Sequence, residues 1–246
     1  MEEKTVNKTN TNGYTFIFAI IMVLVVASVL AFTATSLKPL QSENVRNEKM
    51  QNILATIGIE ASKGEAEETY HKYIKEEIAL DNNGEVKTDV KAFDVDLAKE
   101  LKKDVEKQRF PLYVADVEGK KFYVIPLRGA GLWDAIWGYV SLEDDINTVK
   151  GAVFHHKGET PGLGAEITQA WFQQRFEEEK IFDESGDFVG ITVQKGYSGG
   201  SNKDDNAVDA ISGATITGDG VTKMIHDRLE FYLSYLKKQN TKVALK

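Results

Sequence analysis

The residues with the clearest chemical potential in this chain lie at positions 209–215 and read DAISGAT. They precede an amphipathic pattern that predicts a helix over residues 219–238. Helix N-termini carry unpaired N–H groups and a partial positive charge, so they stabilise anions such as phosphate. Gly213 and Ala214 are small enough to let another molecule approach the backbone closely. The segment therefore indicates a phosphate-binding turn, and an ordinary turn with a helix cap is the alternative.

Two further segments contain closely spaced glycines. Residues 126–133 read PLRGAGLW and residues 158–164 read GETPGLG. Such glycines allow a backbone to lie against a flat ligand, and we expect Trp133 and Leu163 to pack on its faces. Neither segment matches a dinucleotide-binding fold or a P-loop. Together they predict a site for a planar cofactor, although each alone is also typical of a tight turn between strands.

Other chemistries find little support in the composition. His155 and His156 are adjacent on a predicted strand, so their side chains point to opposite faces and do not share one metal ion. The absence of cysteine excludes disulfides, Cys-ligated zinc and thiolate-held iron–sulfur clusters within the chain. A formal net charge of −8 argues against nucleic acid as a partner. Redox chemistry here would require an organic cofactor, or a metal held by histidine and carboxylates.

An apolar run near the N-terminus predicts a membrane anchor. Residues 14–34 contain no charged side chain and, as a helix, are long enough to cross the roughly 30 Å of hydrocarbon in a bilayer. A cleaved signal peptide is the alternative, but its apolar core is normally only about 7–15 residues. Lysine and arginine follow the run more densely than they precede it, which would place the large domain in the cytoplasm. Long domains translocate largely regardless of charge, so the residues leave the side open.

These elements predict an α+β fold, with one transmembrane helix followed by a soluble domain whose strand-rich middle is flanked by helices. We expect an N-terminal tail at 1–13, the transmembrane helix at 14–34, a helical connector and first lobe at 35–110, and the main domain at 111–246. Predicted helices cover residues 47–57, 65–80, 94–107, 165–178 and 219–238. Predicted strands cover 112–117, 121–127, 136–142, 148–154 and 190–195, with a hairpin turn at 118–119.

Taken together, the glycine-bearing segments resemble a known family. DxxSGAT at 209–215 resembles the motif at which a flavin transferase moves FMN from FAD onto the final threonine, and GETPGLG resembles the glycine loop of the FMN-binding domain that carries it. PLRGxGLW at 126–133, with Gly138 and Tyr139, is similar to the C subunit of the sodium-translocating NADH:quinone oxidoreductases. The resemblance covers the apolar run and nearly all of the chain from Leu112 onward, whereas residues 40–107 match only in general plan.

The resemblance implies that FMN is joined to Thr215 by a phosphodiester bond. It implies no catalytic side chain and no metal. Besides Thr215, the residues that would bind the cofactor are Asp209, Ser212, Gly213, Ala214, Glu159, Thr160, Gly162, Leu163, Gly164, Leu132 and Trp133. Asp209 would shape the loop or be recognised by the transferase. Family members often have serine at position 218 and glycine at 165, where this chain has Gly218 and Ala165, but both positions lie outside the attachment motif.

The resemblance also implies a role and a location. The chain would be an electron-transfer subunit of an oxidoreductase in the bacterial inner membrane that couples NADH oxidation by quinone to sodium export. Its partners would be the other subunits and, during maturation, the flavin transferase. The soluble domain would lie on the outer, periplasmic face.

Two other functions remain as alternatives. One is the G subunit of the Rnf ferredoxin:NAD oxidoreductase, which has a similar anchor, glycine loop and modified threonine but usually lacks the segments at 126–133 and 138–139. The other is a membrane-anchored binding domain without redox function, in which residues 212–215 are only a helix cap and no flavin is bound.

Overall fold

The computed structural model describes residues 11–244, with side chains through residue 240. The chain divides into two compact units, residues 1–47 and residues 48–246. Helix α1, Asn12–Thr56, begins in the first unit and ends in the second. Its most apolar stretch of 18 residues has a mean hydropathy of 2.9, and none of that stretch is buried in the protein. The helix is therefore long and apolar enough to be a membrane anchor. Residues 1–10 of the predicted N-terminal tail lie outside the described residues.

The connector after the apolar run is more regular than expected. The sequence predicts a separate short helix at 47–57, whereas α1 runs without interruption through Pro39 to Thr56. An interior proline removes one hydrogen bond and disfavours a helix by about 3 kcal/mol. Good helix formers, among them Gln41, Glu43, Arg46 and Met50, follow the proline and favour continuation.

A six-stranded antiparallel sheet forms the centre of the second unit, in the order β2-β1-β3-β4-β5-β6. Its strands are β1 (Ile74–Leu80), β2 (Val86–Lys87), β3 (Phe110–Val117), β4 (Lys120–Ala130), β5 (Ala135–Glu143) and β6 (Val149–His156). The predicted hairpin is confirmed, because β3 and β4 pair around Glu118 and Gly119. Both turn residues have positive φ, 54° and 83°, which is typical of the tight turn that matches the strand twist.

Three predicted helices are shorter in the structure than the sequence predicts. Helix α2 covers only Ala66–Tyr73, because the following residues pair with β3 and bury Ile78 and Leu80, which outweighs their helical propensity. Residues 94–107 contain one short helix, α3 (Leu97–Glu100), capped by Asp96, and a 3-10 turn at Val105–Lys107. The segment predicted as a helix at 165–178 is a series of short turns: a 3-10 turn at Gly164–Thr168, α4 (Ala170–Gln173) and a 3-10 turn at Gln174–Phe176.

The sheet separates two hydrophobic clusters. Successive residues of a strand point to opposite faces, so Leu112 and Val114 contribute to one cluster while Tyr113 and Ala115 contribute to the other. The first cluster is covered by helix α5, Thr215–Ala244. The predicted apolar face of this helix is buried there through Val221, Met224, Ile225, Leu229, Tyr232 and Leu236. The second cluster contains Met50, Ile53 and Leu54 from the end of α1.

A two-stranded parallel sheet leads the chain into α5. It pairs β7 (Thr192–Gln194), within the predicted strand 190–195, with β8 (Ala207–Asp209), which the sequence did not predict. The Val193 N–H donates to the Thr222 hydroxyl on α5 at 2.9 Å. β8 therefore delivers residues 210–214 to the start of the helix. The six-stranded sheet includes strands from both sides of residue 110, and the boundary proposed there stays a prediction.

Candidate functional site

The turn between β8 and α5 contains the DAISGAT motif. Gly213 has φ = +76°, a left-handed conformation that glycine adopts without strain. The Ala214 N–H donates to the Ile211 carbonyl at 3.0 Å, and the Gly218 N–H donates to the Ala214 carbonyl at 2.9 Å. Helix α5 therefore begins at Thr215, four residues earlier than the predicted start at 219, and its N-terminal N–H groups lie within the motif itself.

The first turn of α5 presents two threonines in opposite environments. Thr215 is exposed, whereas Thr217 is 1% exposed and donates its hydroxyl to Glu159 Oε2 at 2.5 Å. Because Thr217 is buried, an outside molecule has little access to its hydroxyl. Of these two hydroxyls, only that of Thr215 is open to solvent.

A cleft of about 200 Å³ lies at this helix end. It brings together residues from all three glycine-bearing segments of the sequence, which are far apart in the chain. The lining residues are Leu132, Glu159, Thr160, Leu163, Gly164, Gly213, Ala214, Thr215, Ile216 and Thr217. Eight of these ten were predicted from the sequence as cofactor-binding residues.

The floor of the cleft is built around the Glu159 carboxylate, which is only 4% exposed. One oxygen accepts the Thr217 hydroxyl, and the other accepts the Trp133 N–H at 3.0 Å. The Glu159 N–H in turn donates to Nδ1 of His156 at 3.1 Å. These bonds join the loop after β4, the loop after β6 and the first turn of α5.

The surroundings of Glu159 favour its ionised form. Burial alone would raise the pKa of this carboxyl group. Hydrogen bonds from the Thr217 hydroxyl and from the backbone of Trp133, Leu132 and Asp134 outweigh burial, so the pKa lies below its ordinary value. The floor of the cleft therefore carries a negative charge at neutral pH.

The glycines near the cleft serve the packing of the protein itself. A Cβ on Gly131 would lie 2.6 Å from Glu159 Oε1, and one on Gly164 would lie 2.6 Å from Glu159 Oε2. Gly129 and Gly220 let β4 and α5 approach, since Cβ atoms there would meet Met224 and the Ala130 carbonyl. The Cβ positions of Gly129 and Gly131 therefore face protein atoms, and the expectation that the glycines of 126–133 lie against a flat ligand stays a prediction.

Apolar side chains surround the mouth of the cleft and are accessible. Leu132, Leu163 and Ile216 are exposed, the last at 57%. Trp133 is 68% exposed, and its indole N–H donates to the Thr160 hydroxyl at 3.1 Å. Trp133 thus lies beside the cleft and is held against one of its lining residues.

Three other predicted residues also lie outside the lining. Asp209 pairs with Arg175, with 3.4 Å between its Oδ2 and the guanidinium, and its role in shaping the loop or in recognition stays a prediction. Ser212 is exposed in the turn. Gly162 has φ = +76° and donates its N–H to Glu166 Oε1 at 3.0 Å, so it shapes the loop of residues 158–164.

Two lining residues, Ile216 and Thr217, were not predicted from the sequence. A signal for Thr217 was available, because it lies four residues before Val221 and seven before Met224 on the buried face of α5. The predicted helix began at residue 219, so Thr217 was not included in its apolar face.

The histidine pair has separate partners. His155 stacks on Trp137 with ring centroids 6.0 Å apart, whereas His156 accepts the Glu159 N–H. Within residues 11–244, no group of three or more His, Cys, Asp or Glu side chains is arranged to hold a metal ion.

The cleft fits the parts of FMN that the sequence motifs anticipate. The exposed Thr215 hydroxyl and the N-terminal N–H groups of α5 suit a phosphate. The exposed Leu132, Leu163 and Ile216 provide apolar surface for a planar ring.

Comparison with known proteins identifies the same region. Residues 131–230 match the family model described as FMN-binding domain. Over 231 residues the chain is 32% identical to the C subunit of the Na(+)-translocating NADH-quinone reductase of Haemophilus ducreyi, covering 87% of this chain and 88% of that protein. It is 30% identical over 235 residues to the corresponding C subunit of Neisseria meningitidis serogroup B, covering 89% of each.

A solved structure agrees with the fold. The crystal structure of the C subunit of the Na(+)-translocating NADH-quinone reductase from Parabacteroides distasonis superposes with a TM-score of 0.73 at 41% sequence identity. The match covers 81% of this chain and 96% of that one.

Proposed function

Because this chain belongs to the family of the C subunits of the Na(+)-translocating NADH-quinone reductases, we propose that Thr215 carries its FMN through a covalent phosphodiester bond. The chain is an electron-transfer subunit of such a complex and contains an FMN-binding domain. These relatives favour the NADH-quinone reductase over the ferredoxin-linked alternative. The FMN-binding domain argues against a binding domain without redox function.

The main observation that supports the proposed attachment is the position of Thr215, which is the exposed first residue of α5 and borders the cleft. The preceding Gly213 and Ala214 leave its hydroxyl accessible to a large donor molecule and an enzyme. The burial of Thr217, which is only 1% exposed, argues against it as the acceptor. Bound FMN would supply the capacity to accept and pass on single electrons.

The attachment needs an outside catalyst. A threonine hydroxyl is a weak nucleophile at neutral pH unless a base activates it. Glu159, the carboxylate in the cleft, is already bound to Thr217. We therefore infer that a flavin transferase supplies the base. The Thr215 Oγ would bond to the FMN phosphorus of FAD, the pyrophosphate P–O bond would break, AMP would leave, and the hydroxyl proton would pass to that base.

Intact-mass measurement of the full chain, purified from cells that contain a flavin transferase, tests this attachment. We expect the wild type to carry the added mass of FMN less water, T215A to lose it and T215S to retain it. T192A, which removes an exposed threonine hydroxyl on β7, should retain the adduct. A wild-type chain without added mass, or an unchanged adduct in T215A, would overturn the proposal.

We also propose that the domain lies on the periplasmic side of the inner membrane, anchored by the apolar part of α1. The family resemblance supports this orientation. The lack of native cysteine allows a direct test with single cysteines and a membrane-impermeant maleimide on whole cells. We expect S198C, in an exposed loop, to be labelled and T5C to be protected until the cells are lysed. The reverse pattern would place the domain in the cytoplasm.

A further inference from the structure

Glu159 is a buried charge that is stabilised without a cation. Its carboxylate accepts the Thr217 hydroxyl at 2.5 Å and the Trp133 N–H at 3.0 Å. All of its hydrogen-bond donors are neutral groups, and within residues 11–240 no lysine or arginine forms an ion pair with it. Asp134 and Lys157, which belong to the adjoining loops, pair with each other at 2.9 Å. The negative charge of Glu159 is therefore balanced only by dipoles.

The surrounding backbone is shaped to fit this carboxylate. Gly131 and Gly164 approach it from two different loops, and a Cβ at either position would lie 2.6 Å from one of its oxygens. At Gly164 the same Cβ would also collide with the Thr217 hydroxyl oxygen. Such close approaches do not occur between real Cβ atoms and oxygens, so any larger residue at either position would displace the Glu159 carboxylate or the loop. Two independent segments thus leave room for one side chain.

The carboxylate lies in the cleft that contains the attachment residue. Glu159 and Thr215 both line it, on the floor and at the mouth respectively. Burial removes most of the water that would screen the charge of Glu159, since only 4% of the residue is exposed. A redox group in this cleft would therefore be exposed to a weakly screened negative field.

We propose that the Glu159 carboxylate holds a negative charge beneath the FMN site and thereby lowers the reduction potential of the bound FMN. This inference rests on the proposed function, because it requires FMN in the cleft. A fixed negative charge raises the free energy of adding an electron nearby. Glutamine has the same shape, and its amide oxygen can accept the Trp133 N–H while the Thr217 hydroxyl rotates to accept from its NH₂ group. E159Q therefore removes the charge with little change in packing.

The experiment is a spectroelectrochemical titration of the purified, flavin-loaded full chain. We expect E159Q to shift the one-electron equilibrium toward reduction by roughly tenfold, or about 59 mV. E159D, which keeps the charge, should retain a potential close to that of the wild type. D219N is the matched control, since it removes an exposed carboxylate from the same end of α5, where water screens the charge. Its shift should be much smaller than that of E159Q.

The outcomes separate this inference from the attachment itself. An E159Q chain that carries the full FMN mass but has the wild-type potential would overturn the role of Glu159 and leave the covalent bond intact. An equal shift in E159D and E159Q would also overturn it, because loss of geometry and not of charge would then be the cause. A wild-type chain without the FMN mass would instead overturn the proposed function.

Discussion

The floor and the mouth of the cleft contain similar residue types that are used in different ways. At the floor, Glu159, Gly164 and Thr217 are buried and are bound or packed to one another. At the mouth, Thr215, Leu163 and Ile216 are exposed. Thr215 and Thr217 show the difference most directly, because less than one turn of helix separates an accessible hydroxyl from one that holds the fold together. Substitutions that disturb the packing of the floor should therefore mainly affect stability, whereas those at the mouth should mainly affect the cofactor.

The largest expected effect is that of G164A at the floor. The new Cβ would collide with the Thr217 hydroxyl and the Glu159 carboxylate, which should cost about 3 kcal/mol of unfolding free energy. Urea unfolding of the full chain in detergent measures the loss. G158A, in the same loop, is the control, because apart from its own neighbours in the chain no atom lies within 4 Å of the position that its Cβ would take. Equal losses in the two variants would contradict the description of a tightly packed floor.

Removing the hydroxyl of Thr217 should have the next largest effect. T217V keeps the shape of the side chain but leaves one oxygen of the buried Glu159 without its hydroxyl donor, at a cost of about 2 kcal/mol. T217S keeps a hydroxyl at this position and should recover most of the stability in the same unfolding measurement. A fully stable T217V chain would show that the hydrogen bond contributes nothing.

A smaller effect should appear on acidification. The pKa of Glu159 is lower in the folded protein than its value of 4.5 in an unfolded chain, so the unfolded state binds the proton first as the pH falls. The stabilisation is complete above that value and is lost as the pH falls through the lower, folded pKa. Unfolding free energies of wild type and E159Q measured between pH 7 and pH 3 should therefore converge toward the acid end. A constant difference across this range would contradict the assignment.

The smallest effect on stability is expected at the mouth. L163A and W133A remove exposed side chains and should change the unfolding free energy by no more than about 0.5 kcal/mol. Each should leave the FMN mass in place yet alter the visible absorption spectrum or the potential, because these side chains lie where we expect the flavin ring. Unchanged spectra and potentials in both variants would remove them from the site.

The same contrast explains which features the sequence could predict. DAISGAT, GETPGLG and the hairpin turn at 118–119 are local signals, and the structure brings the first two together at one cleft. The pairing of Glu159 with Thr217 depends on a tertiary contact between distant segments, which no local pattern encodes. β1 was predicted as a helix for a related reason, since its pairing with β3 and not its own propensity decides its conformation.

The two edges of the six-stranded sheet have a consequence for assembly. On one edge, β2 is only two residues long. On the other, β6 is already occupied, because Val149 exchanges backbone hydrogen bonds with Glu178 and Glu179, and the Phe154 carbonyl accepts from Gln173 at 3.1 Å. Long, unpaired edges recruit strands from other chains and promote aggregation. We therefore expect neighbouring subunits to recognise the β6 side of this domain through side-chain surfaces and not by adding a strand to β6.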